Sequence, residues 1–110
     1  MPTATYKVLA QSAPSATTAT DIYTVGASKQ AVISTITVCN RAAVAATYRI
    51  AVRPDGAALA NQHYITYDVS VPASDTITLT IGVTLDASDV VTVYASSANL
   101  SFNLFGTEIA

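Results

Sequence analysis

The chain has no Trp, one Cys (Cys39) and one His (His63). A lone Cys excludes an internal disulfide, and one Cys with one His excludes a Cys/His zinc cluster within one chain. Glycine is scarce as well: Gly26, Gly56, Gly82 and Gly106 are scattered, so no glycine-rich phosphate loop can be assembled from them. Charged residues make up 11%, against ~25% in an average soluble chain. The formal net charge is -2, which leaves no electrostatic footprint for nucleic acid or an anionic membrane surface. No apolar run approaches the ~18 residues of a membrane helix. The first residues lack the basic-then-apolar pattern of a signal peptide. These absences argue against an enzyme, a cofactor protein and a metal protein.

What fills the chain is Ala, Thr, Ser, Val and Ile. Small and β-branched residues favour strands over helices. Its 110 residues suffice for one domain with a real core. Residues Met1 to Thr20 read as an extended arm, small and polar, with Pro2 and Pro14 as punctuation and a short strand at Tyr6 to Leu9. Residues 21–110 read as a β-sandwich domain. Ile22 to Val25 is a strand candidate. In Ala31 to Asn40 the alternation places Val32, Ile36 and Val38 on one face and Ile33, Thr35, Thr37 and Cys39 on the other. Ala46 to Arg53 alternates clearly: Ala46, Tyr48, Ile50 and Val52 against Thr47, Arg49, Ala51 and Arg53. Pro54-Asp55-Gly56 is a turn signal. His63 to Val69 alternates with Ile65, Tyr67 and Val69 together. Thr76 to Val83 does so with Ile77, Leu79, Ile81 and Val83 toward the core. Val90 to Ala95 and Leu100 to Phe105 complete seven or eight short strands with a turn roughly every ten residues. The fold class expected is all-β, an antiparallel β-sandwich of Ig-like or jelly-roll topology. Ala73-Ser74-Asp75 and Ala87-Ser88-Asp89 each precede a strand, a repeat of turn chemistry rather than of architecture.

Candidate chemistry is sparse. Cys39 is expected to be a buried structural thiol and His63 a surface or half-buried polar residue. Asp75, Asp86 and Asp89 could offer oxygens to calcium, but sit where carboxylates cap turns. Asn99-Leu100-Ser101 matches a glycosylation sequon, which matters only in a eukaryotic secretory setting. The informative polar residues are Arg49 and Arg53, four apart on one strand and on one face, with Arg41 in the preceding turn. They form either a solvated sheet face or a docking face for a partner's carboxylates. Tyr6, Val8 and Leu9 are apolar enough for the arm to add a strand to a neighbour's sheet. The partner-interface candidates are therefore Tyr6, Val8, Leu9, Arg41, Arg49 and Arg53. No residue is a candidate for catalysis, for a cofactor or for a metal.

The middle of the chain resembles a known group. Thr24-Val25-Gly26-Ala27, then Val32 through Arg41 (VISTITVCNR), then Thr47-Tyr48-Arg49-Ile50-Ala51-Val52 resemble small β-sandwich proteins of tailed-bacteriophage virions. These carry a "TVPAG" turn, a "VSS-hydrophobic-VCN" strand and a "TFRIAV" strand. Ala95 to Glu108, with Leu100-Ser101-Phe102-Asn103, is similar too, so the resemblance spans residues 20–108. The chain departs from it at Gly26-Ala27-Ser28, where Pro-Ala-Gly is usual, and a differently shaped turn is expected there. The resemblance implies a non-catalytic virion component, assembled in the bacterial host cytoplasm. Capsid decoration is the leading expectation. The chain would then be a homo-oligomer, a trimer by analogy with decoration proteins, contacting the major capsid protein. A tail, baseplate or fibre-attachment subunit contacting tail proteins is the alternative. A host-surface carbohydrate-binding module is the second; it would want exposed aromatics on a concave face.

Overall fold

A computed structural model describes residues 2–110; Met1, the first residue of the expected arm, lies outside the described residues. Among the described residues nine strands form in chain order: β1 (Ala4–Ser12), β2 (Thr20–Thr24), β3 (Gln30–Asn40), β4 (Ala46–Arg53), β5 (Tyr64–Val71), β6 (Thr76–Leu79), β7 (Val83–Leu85), β8 (Val90–Ala95) and β9 (Leu100–Ile109). Helix among the described residues is confined to two single 3-10 turns, Pro54–Gly56 and Asn61–His63. One sheet runs β1-β9-β3-β6, with β7 also on β3, and the other runs β2-β8-β4-β5. Every pairing is antiparallel. The expected antiparallel sandwich is present. If β6 and β7 count as one interrupted strand, the strand order of each sheet is that of a jelly roll, which chooses between the two topologies the sequence left open.

The core fills the space between the sheets. Tyr48, Ile50, Val91 and Val93 of the four-stranded sheet meet Ile33, Ile36, Val38, Phe102 and Leu104 of the five-stranded one, all buried. Tyr48 and Phe102 make an edge-to-face contact with centroids 6.3 Å apart. The expected faces of β4 hold: Ala46, Tyr48 and Ile50 point inward, and Arg49 and Arg53 point away.

Strict alternation fails where the strands bulge. The β3–β9 register shifts between Ile33 and Thr35, leaving Ser34 unpaired. The extra residue flips the pleat. Ala31 and Ile33 are therefore buried before it, and Ile36 and Val38 after it, so Ile33 shares the core face with Ile36 instead of opposing it. The same level of the sheet interrupts the run expected as one strand from Thr76 to Val83. β6 ends at Leu79, Gly82 adopts φ +62°, and β7 resumes at Val83. Ile81 lies in that break and is exposed rather than in the core.

The segment expected to be an arm is largely a strand of the sandwich. β1 pairs with β9 from Ala4↔Ile109 to Ser12↔Phe102. Its own bulge at Leu9 turns that side chain inward, and Leu9 joins the core. The apolar run Val8-Leu9 thus serves both sides of the sheet.

Gly106 of β9 packs against β3 so closely that a Cβ there would overlap the Val32 carbonyl oxygen and press on the Ile33 Cα. The turns share a second backbone device. Lys29, Asp75 and Asp89 donate their N–H groups to the carbonyls of Gly26, Pro72 and Asp86, at 3.1, 3.3 and 3.1 Å. The third residue of each turn is a serine with φ of 68° (Ser28), 56° (Ser74) and 68° (Ser88). That left-handed position favours Gly.

Candidate functional site

The two outward sheet faces differ in chemistry. On the four-stranded sheet, β4 and β8 place Arg49 opposite Tyr94, and β4 and β5 place Asp68 and Tyr67 beside it. Arg49 donates from Nε to Asp68 Oδ1 at 2.7 Å and from Nη2 to Oδ2 at 3.4 Å. Its guanidinium lies 4.1 Å from the Tyr67 ring centre and 4.3 Å from that of Tyr94. Tyr64 packs edge-on against Tyr67 at 5.0 Å. The bond to Asp68 raises the Arg49 pKa above its ordinary value. Arg53 donates to Thr92 Oγ1 (3.0 Å), the Ala57 carbonyl (3.0 Å) and Asp21 Oδ2 (2.8 Å). Thr92 in turn donates to Asp21 Oδ1 at 2.8 Å.

Arg49 and Arg53 therefore share the outward face expected of them, but both guanidiniums are engaged within the chain. Their side chains are only 22% and 15% exposed. Arg41 is not part of that group: it lies beyond β3 and donates to the Ala98 carbonyl at 2.9 Å. Sequence reading missed the tyrosine bracket around Arg49. Its signal is a register between strands, and two bulges in the β4–β5 pairing hide it.

Among the described residues the outward face of the five-stranded sheet carries no charged side chain. Its register sets Tyr6, Val8, Val32, Phe105 and Ile109 outward at one end. Thr35, Thr37, Thr76, Thr78 and Cys39 occupy the other end. Gln11 donates to Asn103 Oδ1 at 2.8 Å between them. Tyr6 is 85% exposed and Val8 46%; Leu9, by contrast, points into the core. Cys39 is half-buried on this face rather than buried as expected, because the bulge at Ser34 turned it outward.

The remaining polar residues are structural. His63 is buried, contrary to expectation: its Nδ1 accepts the Ala60 N–H at 3.0 Å while its backbone N–H donates to the Ala60 carbonyl at 3.1 Å. Asp75 accepts the Thr76 N–H and Asp86 the Ala87 N–H, each at 2.8 Å. Asp89 accepts the N–H groups of Asp55 and Asp86, also at 2.8 Å. These carboxylates act as turn caps. Among the described residues no three His, Cys, Asp or Glu side chains are grouped to hold a metal ion.

Asn40, 1% exposed, is the buried polar corner. Its Nδ2 donates to Val44 (2.8 Å), Val71 (3.2 Å) and Pro72 (3.3 Å) carbonyls, and its Oδ1 accepts the Ala42 N–H at 3.0 Å. At the opposite end Glu108 ties the sheets together. It accepts from Tyr23 OH at 2.7 Å, and Lys7 and Lys29 lie 3.0 and 3.9 Å away. The Tyr23 bond, followed by the Lys7 bond, holds the Glu108 carboxyl below the usual range. Burial, with the same bond, raises the Tyr23 phenol.

No protein-family model, curated protein or solved structure matches this chain.

Proposed function

We propose that the chain is a non-enzymatic structural subunit of a tailed-bacteriophage virion, a capsid decoration protein that docks on the particle through protein–protein contacts. The observation that carries this reading is the charge-free outward face of the five-stranded sheet. Charge is depleted at the centres of protein interfaces, and a sheet face with no charge has little to keep it solvated. The jelly-roll strand order is compatible, since viral capsid domains share it, but lectins and cupins share it too. The sequence resemblance supplies the virion.

The docking surface is this face, with Tyr6 and Val8 at its rim, rather than the arginine face, whose guanidiniums already have carboxylate partners. The major capsid protein is the partner on this reading; tail proteins are the partners if the subunit belongs to tail, baseplate or fibre. The test is purified virions from the genome that encodes the chain. The protein is expected on the head in many copies. A Thr37→Lys/Thr78→Lys variant is expected to fold and yet fail to incorporate. Absence of the chain from virions, or normal incorporation of that variant, overturns the reading.

One observation favours the carbohydrate-binding alternative: Tyr64, Tyr67 and Tyr94 gather on one outward face. Two of those rings are already stacked on Arg49, which removes ring faces that a sugar would use.

A further inference from the structure

The sandwich has four sheet edges, and three carry features that resist further pairing. β5 has two register shifts and holds Asp68 at φ 52°. β2 has five residues and a shift of its own. The edge formed by β6 and β7 is broken at Gly82. Bulges, brevity and breaks are the usual protections of an edge. β1 is different. Its segment Ala4 to Val8 pairs regularly with β9 along one side, and no described strand pairs with the other.

The direction of its free backbone groups follows from the ladder. Thr3 and Ala110 exchange both N–H···O bonds, at 2.7 and 3.0 Å. In an antiparallel pair such residues alternate with ones whose groups point the other way. Thr5 and Lys7 therefore bond to β9, while Ala4, Tyr6 and Val8 present N–H and C=O outward. The bulge at Leu9 ends this run on one side, and Pro2 and Pro14 lie outside it. The one charge in the segment is turned away, because Lys7 Nζ reaches Glu108 at 3.0 Å. The free run is symmetric about Tyr6.

We propose that two copies of the chain pair edge to edge through β1, antiparallel about a two-fold axis at Tyr6, joining their five-stranded sheets into one continuous sheet. Ala4 meets Val8 of the second copy, Tyr6 meets its own counterpart, and Val8 meets Ala4. Each pair exchanges two hydrogen bonds. The tyrosine pair and the Ala–Val pairs fall on the charge-free outward face and extend it across the dimer. The inference concerns the free protein and does not rest on the virion reading.

The test is sedimentation of the full chain over a concentration series, with amide hydrogen exchange. A dimer is expected. Tyr6→Pro removes an outward N–H and leaves the β9 bonds intact, so it is expected to be a folded monomer. Tyr6→Lys sets like charges opposite each other at the axis and is expected to weaken dimerisation at least about tenfold. This variant decides the matter if the proline variant fails to fold. In the dimer the amides of Ala4, Tyr6 and Val8 are expected to exchange as slowly as those of Thr5 and Lys7; in the monomeric proline variant, which has no amide at position 6, those of Ala4 and Val8 become fast. A wild-type chain monomeric up to about 1 mM, a trimer, or a dimer indifferent to Tyr6→Lys overturns the proposal.

Discussion

The two outer faces of this sandwich solve the same problem in opposite ways. Both cover a sheet whose other side is core. The four-stranded sheet covers itself with its own side chains: Arg49 bridges Tyr67, Tyr94 and Asp68, and Arg53 ties Asp21, Thr92 and Ala57 together. Even Ala51 and Thr92, on that outward face, are 1% and 4% exposed beneath the network. The outward face of the five-stranded sheet has no such network and no charged side chain among the described residues. One face is finished by its own side chains, and the other is not. Cross-strand ion pairs and stacking suit a surface that stays in water, whereas Thr, Val, Tyr and Phe suit one that leaves it.

The sharpest way to break this contrast is through Gly106. Gly106→Ala forces β9 from β3, so the five-stranded sheet loses its centre. A loss of about 3 kcal/mol or more is expected in urea unfolding. Asn40→Ala comes next. It strands the Ala42 N–H and the buried carbonyls of the corner between β3 and β4, at an expected cost of about 2–3 kcal/mol. Arg49→Met tests whether the four-stranded face is self-sufficient. It is expected to lower Tm by no more than about 4 °C, with the gap narrowing in high salt. A larger drop would mean that the network holds the fold rather than its surface.

Glu108→Gln probes the join between the sheets by pH. The Glu108 pKa is lowered in the folded protein. Its contribution is therefore present above the usual carboxylate range and is lost as pH falls through the depressed folded value. The variant is expected to have a flatter stability profile on the acid side than the wild type. The raised Tyr23 phenol acts in the opposite sense: its contribution is present below the ordinary tyrosine pKa and fades as pH rises above it. The smallest effect is expected at the turns. Ser28→Gly relieves the left-handed residue at φ 68° and should add about 0.5 kcal/mol in thermal melts, since glycine's greater chain entropy offsets part of the gain. A loss there would show that the serine side chain stabilises the turn.

Regular strands were legible in the sequence and irregular ones were not. β4 and β8 match their expected bounds, Ala46–Arg53 and Val90–Ala95. Their inward residues alternate without a bulge, so period two alone locates them. β3 was found, and the faces of its second half were right, but Val32 was grouped with Ile36 and Val38 and Ile33 with Thr35, because one unpaired serine inverts the pleat and no local pattern marks it. Likewise Ile81 looked like core until Gly82 broke the strand. The segment around Tyr6 looked like an arm because its sequence has few core residues. Its partner, β9, lies about a hundred positions away, and such pairing leaves no local trace. The Arg49–Arg53 face was legible because it sits on the regular strand β4; that its charges are already paired was not, since Asp68 and Asp21 come from other strands.

Thr3 and Ala110 bond to each other, and the first strand lies along the last. β9 is also the neighbour of β3, so the five-stranded sheet lacks its middle until that strand arrives. Synthesis must therefore run about a hundred residues past β1 before this sheet can close, and until then β1 and one edge of β3 wait unpaired. Contacts of such long sequence separation make for slow folding and a vulnerable nascent state. The same adjacency makes the chain a good subject for circular permutation. Joining its ends by a short linker and opening it at the Asp86–Asp89 turn would place β9 ahead of β3 in the order of synthesis. Such a permutant should fold earlier on the ribosome than the natural order allows.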